Sequence, residues 1–194
     1  MKTFEVFDNH LEEDYFEHIE NKLNQCWWSL QEEVAYKGDN DEVDDAYYFV
    51  HPIFEHNHQQ SDMHNVLSTF YTTIGMRALI RVRALLYVNQ GRQLVHSPHI
   101  DMHYSHKAAL FYMNDNDGFT LMADEGVDIN AYQDKEYKSP IEFSRKDNGG
   151  DIFQQQLKCM SKRNRLCIHD GSRPHCSSTP TNTKKRVLIA VNYF

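Results

Sequence analysis

Between His96 and His106 the chain reads HSPHIDMHYSH, four histidines and an aspartate in a short span that then turns apolar at KAALFYM. Clustered histidines serve metal sites, hydrogen-bonded strand faces and solvated loops alike, so spacing has to select among them. On a β-strand, residues two apart share a face. His99 and Asp101 therefore offer an imidazole nitrogen and a carboxylate oxygen to one ion, while Ile100 turns away. His103 continues that alternation and His106 breaks it, so the cluster does not simply provide four ligands. A single HxD occurs by chance in many proteins and carries little weight alone.

A second stretch adds weight. In RLCIHDGSRPHCSSTPTNTKKRVLIAVNYF, His175 leaves a turn containing Gly and Pro, and Arg186 follows on an apolar final segment. Two histidines and one carboxylate make a facial triad that leaves positions open on Fe(II) for a bidentate acid and for O2. Arg186 alternates in phase with Leu188 and Ala190, which would carry its planar guanidinium to a carboxylate at the inner end of such a site. A buried cation without a partner is costly, so an acid is expected to meet it.

Such side chains need rigid elements behind them. Leu11, Tyr15, Ile19 and Leu23 repeat at four-residue spacing and predict an amphipathic helix near residues 10–26, with Asp8 and Asn9 as N-cap candidates. Met63, Val66, Leu67, Phe70, Tyr71 and Ile74 keep a helical stripe over 62–76. From Ala78 the patterning becomes β: ALIRVRALLYV, the turn NQGR, LVHSPHIDMHY, then KAALFYM, DGFTLMA, RLCIHD and KRVLIAVNYF, with no helical crossover in the final third. The expected fold is mainly β, an antiparallel sandwich in a single domain over 1–194, with 1–77 as helical support and 78–194 as the β core. KGDNDEVDD reads as a solvated loop without the order of an EF-hand, and 124–148 as an irregular excursion beside the functional face.

Composition sets the outer bounds. A chain of 194 residues, 40% of them hydrophobic, can bury a sizeable core. The formal net charge of -8, with basic residues gathered only near Lys162–Arg165 and Lys184–Arg186, disfavours nucleic acid and favours a cationic or neutral substrate. No apolar run approaches the roughly 20 residues that span a bilayer, and the acidic start lacks a signal peptide's regions, so no membrane partner and a cytoplasmic location are expected. Four cysteines without a CxxC pair read as reduced structural thiols. His96, His103 and His106 are expected to make outer or surface hydrogen bonds, His169 to pack on a strand, and His51, His56, His58 and His64 to sit in a polar, solvated loop. Trp27 and Trp28 are expected core anchors.

On HID, ALFYMNDNDGFT, DGSRPHCSSTP and KKRVLIAVNYF, the sequence resembles the iron and 2-oxoglutarate dependent oxygenases, specifically the prolyl 4-hydroxylase-like branch with its small phage-encoded members, over roughly residues 81–194. The resemblance implies a double-stranded β-helix, or distorted jelly roll of cupin-like type. It implies His99, Asp101 and His175 as Fe(II) ligands, with 2-oxoglutarate and O2 as cosubstrates. It further implies Arg186 on the distal 2-oxoglutarate carboxylate, helped by Tyr112, with Tyr87 lining the same pocket. The implied reaction is hydroxylation of a peptidyl proline, or of another peptide or small molecule, with release of succinate and CO2. Thr120 stands where the family often has a threonine after glycine, but this chain has a single Gly118, followed by Phe119 where a second glycine is common. Two other readings stay open: a non-catalytic jelly-roll binding module holding a structural metal, and a cupin-like enzyme, which lacks here the paired HxH and its glutamate.

Overall fold

The computed structural model of the chain describes residues 4–32, 47–96, 99–122 and 157–194. The loops expected at 37–45 and 124–148 lie outside these described residues. In chain order the elements are β1 (Phe4–Phe7), α1 (Glu13–Leu23), β2 (Ser29–Gln31), β3 (Tyr48–Glu55), β4 (His58–Gln59), α2 (Met63–Val66), α3 (Ser68–Thr73), β5 (Leu79–Val88), β6 (Lys107–Tyr112), β7 (Phe119–Met122), β8 (Lys158–Met160), β9 (Arg165–Asp170), β10 (His175–Ser177) and β11 (Lys185–Tyr193). The large sheet runs β1-β9-β6-β11-β5-β3-β2, with β4 on β3, and the small one runs β10-β7-β8. Each of these strand pairs is antiparallel.

Alternation along the large sheet sorts its side chains into two cores. Val82, Ala84, Ala109, Phe111, Leu166, Val187, Ile189 and Val191 point outward and bury Phe16 and Ile19 of α1 and Phe70 of α3. Residues of the opposite phase, among them Tyr87, Leu110, Tyr112, Cys167 and Leu188, point inward against Met122 of β7 and Cys159 of β8. Each fully buried aliphatic or aromatic side chain contributes roughly 1.5–3 kcal/mol, so the two faces together hold the sheets and helices in place. This is the double-stranded β-helix expected from the sequence, with helices on its outer face.

Several local expectations change. The first helix starts at Glu13 rather than near residue 10, and its N-cap is Glu12, without a side-chain cap. Asp8 instead binds Lys162 Nζ at 2.9 Å and Arg165 Nε at 2.6 Å, which uses the basic cluster in ion pairs. The stripe over 62–76 breaks at Leu67 into two short helices. The described residues among the first 77 supply four strands as well as these helices. His51 is not solvated: it is 1% exposed on β3, with Nδ1 2.9 Å from the Trp27 carbonyl and Nε2 2.8 Å from Ser61 Oγ. His64 is half-buried, stacked on Phe54, while His56 and His58 are exposed. Trp27 is 58% exposed, its ring edge-on to His51, and only Trp28 packs against the core. LVHSPHIDMHY forms no continuous strand; Val95 and His99 make isolated bridges to Ser178 and His175.

Candidate metal centre

The His99–His175 bridge brings the two sequence motifs together. The His99 N–H donates to the His175 carbonyl at 3.0 Å, and the His175 N–H returns to the His99 carbonyl at 2.9 Å. The imidazole centroids stand 4.5 Å apart. One donor atom from each of His99, Asp101 and His175 lies within 4.8 Å of the others. His175 Nδ1–H donates to the Arg173 carbonyl at 3.1 Å, which fixes the tautomer and leaves the Nε2 lone pair facing Asp101 Oδ2 at 4.0 Å. Two imidazoles and a carboxylate converging at this range suit a divalent first-row metal.

Asp101 is held from two sides. Its Oδ1 accepts from Arg81 Nη2, and its Oδ2 accepts from Asn192 Nδ2 at 2.8 Å. Burial works against the carboxylate's charge, but His175, Arg81, His99 and Asn192 outweigh it and hold the carboxyl below its ordinary range. Burial likewise pushes His175 down, against the pull of Asp101. Asn192 also donates to His106 Nε2 at 3.2 Å, and His106 Nδ1–H donates to the Tyr104 carbonyl at 2.8 Å.

Strand register explains this support. Arg81, Asn192, Ala108 and His169 are direct cross-strand partners on β5, β11, β6 and β9, one row on the inner face. His169 is buried, donates Nδ1–H to the Asp170 carbonyl at 3.0 Å, and lies edge-on to His175 with centroids 5.3 Å apart. His103 is exposed. His96 is buried, stacked on Tyr87 and bonded through Nδ1 to Ser177 Oγ at 2.8 Å; burial, with the charges of Arg186 and His99, pushes it down to about 3.

The triad opens on a cavity of about 220 Å³ lined by Tyr87, Thr120, Leu188 and Ala190, among others. Thr120 of this wall is bonded to Arg186, which is 0% exposed. Its Nε donates to Ser161 Oγ at 2.7 Å, Nη1 to the Ser178 carbonyl at 3.1 Å, and Nη2 to Thr120 Oγ1 at 2.8 Å. All three acceptors are neutral, and among the described residues no carboxylate pairs with it. Tyr112 is also 0% exposed, and its hydroxyl donates to Thr120 Oγ1 at 3.0 Å. Thr120 thus accepts from both Arg186 and Tyr112, and its own hydroxyl proton is left to donate at the cavity wall. Gly118 makes room for this arrangement: a Cβ there would stand 2.6 Å from Arg186 Cδ.

The structure therefore brings His99, Asp101, His175 and Tyr87 around one cavity, which Arg186 meets through Thr120. Tyr112 meets it through Thr120 as well. Sequence reading missed Arg81, Asn192 and Ser161. Asn192 was reachable, because it continues the even-numbered phase of Arg186, Leu188 and Ala190. Arg81 was too, in the alternation of RVRALLYV. Ser161 had no sequence signal, since a turn delivers it.

In sequence the chain matches no protein-family model and no curated protein. Its structure is similar to that of an oxidoreductase of the 2OG-Fe(II) oxygenase family from Burkholderia pseudomallei, at 7% identity and a TM-score of 0.62 over 98% of this chain and 85% of that one. It is similar to a prolyl hydroxylase from Trichoplax adhaerens solved with a hypoxia inducible factor peptide fragment, at 11% identity and a TM-score of 0.58 over 100% and 84% of the two chains. It is similar also to HygX from Streptomyces hygroscopicus solved with nickel and 2-oxoglutarate, at 12% identity and a TM-score of 0.60 over 98% and 82%. Strand order, the two facing sheets and these likenesses agree that the chain has the double-stranded β-helix fold of the 2-oxoglutarate and Fe(II) oxygenases.

Proposed function

We propose that the protein is an Fe(II)- and 2-oxoglutarate-dependent dioxygenase, prolyl 4-hydroxylase-like, that hydroxylates its substrate with release of succinate and CO2. By the sequence resemblance the substrate is a peptidyl proline. The observation that carries this reading is the convergence of His99, Asp101 and His175 on a cavity whose Thr120 wall is bonded to buried Arg186, a guanidinium with no carboxylate partner among the described residues.

Fe(II) bound to the three donors would supply the redox chemistry that couples decarboxylation of 2-oxoglutarate to oxygen insertion. The chain's own groups do the rest. Arg81 and Asn192 fix the carboxylate of Asp101, and the Arg173 carbonyl fixes the tautomer of His175. Arg186 supplies the charge that draws the cosubstrate's distal carboxylate inward, while Thr120 offers it a hydroxyl donor. Tyr112 and Arg186 both point their protons at Thr120 Oγ1, which leaves that donor turned toward the cavity. Tyr87, Leu188 and Ala190 line the wall that excludes water.

The test is oxygen uptake and succinate formation by Fe(II)-loaded protein, with and without 2-oxoglutarate, alongside Mn(II) binding. Uptake should require 2-oxoglutarate. His99→Ala, Asp101→Ala and His175→Ala should each lose Mn(II) affinity by two orders of magnitude or so, and His103→Ala should stay near the parent. Metal binding without cosubstrate dependence would favour the non-catalytic jelly-roll module instead.

A further inference from the structure

Arg81 and Arg83 stand two apart on β5 and share its inner face. Both line the metal cavity, and both line a second cavity of about 410 Å³ that opens beside it. The two spaces are therefore neighbours across one pair of guanidinium groups. Each arginine is anchored by one nitrogen only: Arg81 through Nη2 on Asp101 Oδ1, Arg83 through Nε on Glu55 Oε1. Among the described residues, the remaining N–H groups of both make no hydrogen bond. A guanidinium tethered by one edge keeps the other available for the two parallel bonds that an oxyanion accepts.

Charge points the same way. The acid opposite Arg81 is the proposed metal ligand, whose charge a bound ion would share. That leaves Glu55 as the one acidic side chain among the second cavity's lining residues, against two arginines. Further along that lining, Tyr104 and Phe194 stack with centroids 6.0 Å apart at 22°, and they are 48% and 50% exposed. The overall charge of -8 favours a cationic or neutral substrate, yet the groups next to the metal centre are set for the opposite sign.

We propose that the substrate carries a carboxylate or phosphate that docks on the free edges of Arg81 and Arg83, with its apolar part on the Tyr104–Phe194 pair. This rests on the oxygenase reading above and adds the substrate class to it. The anion then sits at the boundary of the two cavities, beside the proposed metal centre.

The test is calorimetry under nitrogen on protein loaded with Mn(II) and saturated with 2-oxoglutarate. The probes are a blocked Gly-Pro-Glu-Pro-Tyr peptide, its Gln counterpart, and glutarate and inorganic phosphate as free anions. An acidic probe should bind on the order of tenfold more tightly than its amide counterpart, the loss expected for one charge-assisted hydrogen bond. Arg83→Gln should erase that preference without altering Mn(II) affinity, because Arg83 contacts none of the three proposed ligands. Glu55→Gln should widen it, since Arg83 is then released; a merely structural Glu55–Arg83 pair would leave the ratio unchanged, so this variant decides even if Arg83→Gln folds poorly. Binding of glutarate or phosphate in place of the peptide, with the same Arg83 dependence, would assign the anion to a small acid rather than an acidic side chain and would support the site. Equal affinities for the Glu and Gln peptides with no binding of the free anions, or affinities indifferent to Arg83→Gln and Glu55→Gln, would overturn the inference alone. Failure to bind Mn(II) and 2-oxoglutarate at all would sink the oxygenase reading and this inference with it.

Discussion

Arg186 is the residue on which the cosubstrate reading turns. Its three acceptors are a serine hydroxyl, a threonine hydroxyl and a carbonyl, which satisfy direction but leave a whole positive charge in the interior. Charge-assisted hydrogen bonds contribute roughly 1.5–3 kcal/mol, against about 1 for neutral ones. Arg186→Gln should therefore weaken 2-oxoglutarate binding at least about tenfold in anaerobic Mn(II) protein, read by calorimetry. Tyr112→Phe should cost less, because its hydroxyl ends on Thr120 rather than at the cavity wall, and Thr120→Val should fall between the two. Undiminished affinity in Arg186→Gln would place the carboxylate elsewhere.

At the scale of elements, turns deliver the groups that strands cannot. The turn between β8 and β9 carries Ser161, which binds Arg186, and Asn164, whose φ of 57° is in the left-handed region that asparagine tolerates. Asn164 Oδ1 accepts from the Leu11 N–H at 2.9 Å, and its Nδ2 donates to the Leu11 carbonyl at 2.7 Å, so the same turn clamps the approach to α1. Two glycines are fixed by close approach. A Cβ at Gly118 would meet Arg186 Cδ at 2.6 Å and Asn116 Oδ1 at 2.8 Å; one at Gly171 would meet His106 Nε2 at 2.2 Å. Overpacking of this kind costs about 1–3 kcal/mol. Gly118→Ala should lose that much stability in urea denaturation and also weaken 2-oxoglutarate binding. Gly171→Ala should lose comparable stability but weaken Mn(II) binding, since His106 shares Asn192 with Asp101. An identical pattern of ligand losses in both variants would contradict this division.

For the whole molecule, buried neutral histidines set the response to acid. Burial pushes His10, His51, His64, His96 and His169 below the ordinary value of 6.5, His96 to about 3. A histidine whose folded pKa is depressed contributes its stability above the unfolded value and loses it as pH falls toward the folded one. His96, held neutral down to about 3, costs about 1.4 kcal/mol per pH unit below 6.5. The metal-free protein should therefore lose stability steeply from about pH 6.5 toward pH 4, and His96→Gln should flatten the slope by about one proton. A profile flat across that window in urea denaturation would refute the account. Among the described residues no helix is long and apolar enough to cross a membrane.

Alternation and spacing carry a definite share of this molecule. The period-2 patterns of LIRVRALLYV and KRVLIAVNY and the apolar run of KAALFY identified the central strands; the alternation turned Arg186 inward, because a strand has only two faces and one face of KRVLIAVNY was apolar throughout. His99, Asp101 and His175 were legible as a set from residue type and order. The reason they meet was not: the expected strand through His99 and Asp101 is absent, and a single backbone bridge between His99 and His175 joins the two segments. It took the folded chain to reveal that Asn192 and Arg81 hold Asp101, that Ser161 and Thr120 receive Arg186, and that Trp27 lies outside while His51 lies within. These partners come from segments far apart in the chain. Local patterning records which way a side chain points, whereas the identity of what it meets depends on the register of strands that pair across the whole molecule.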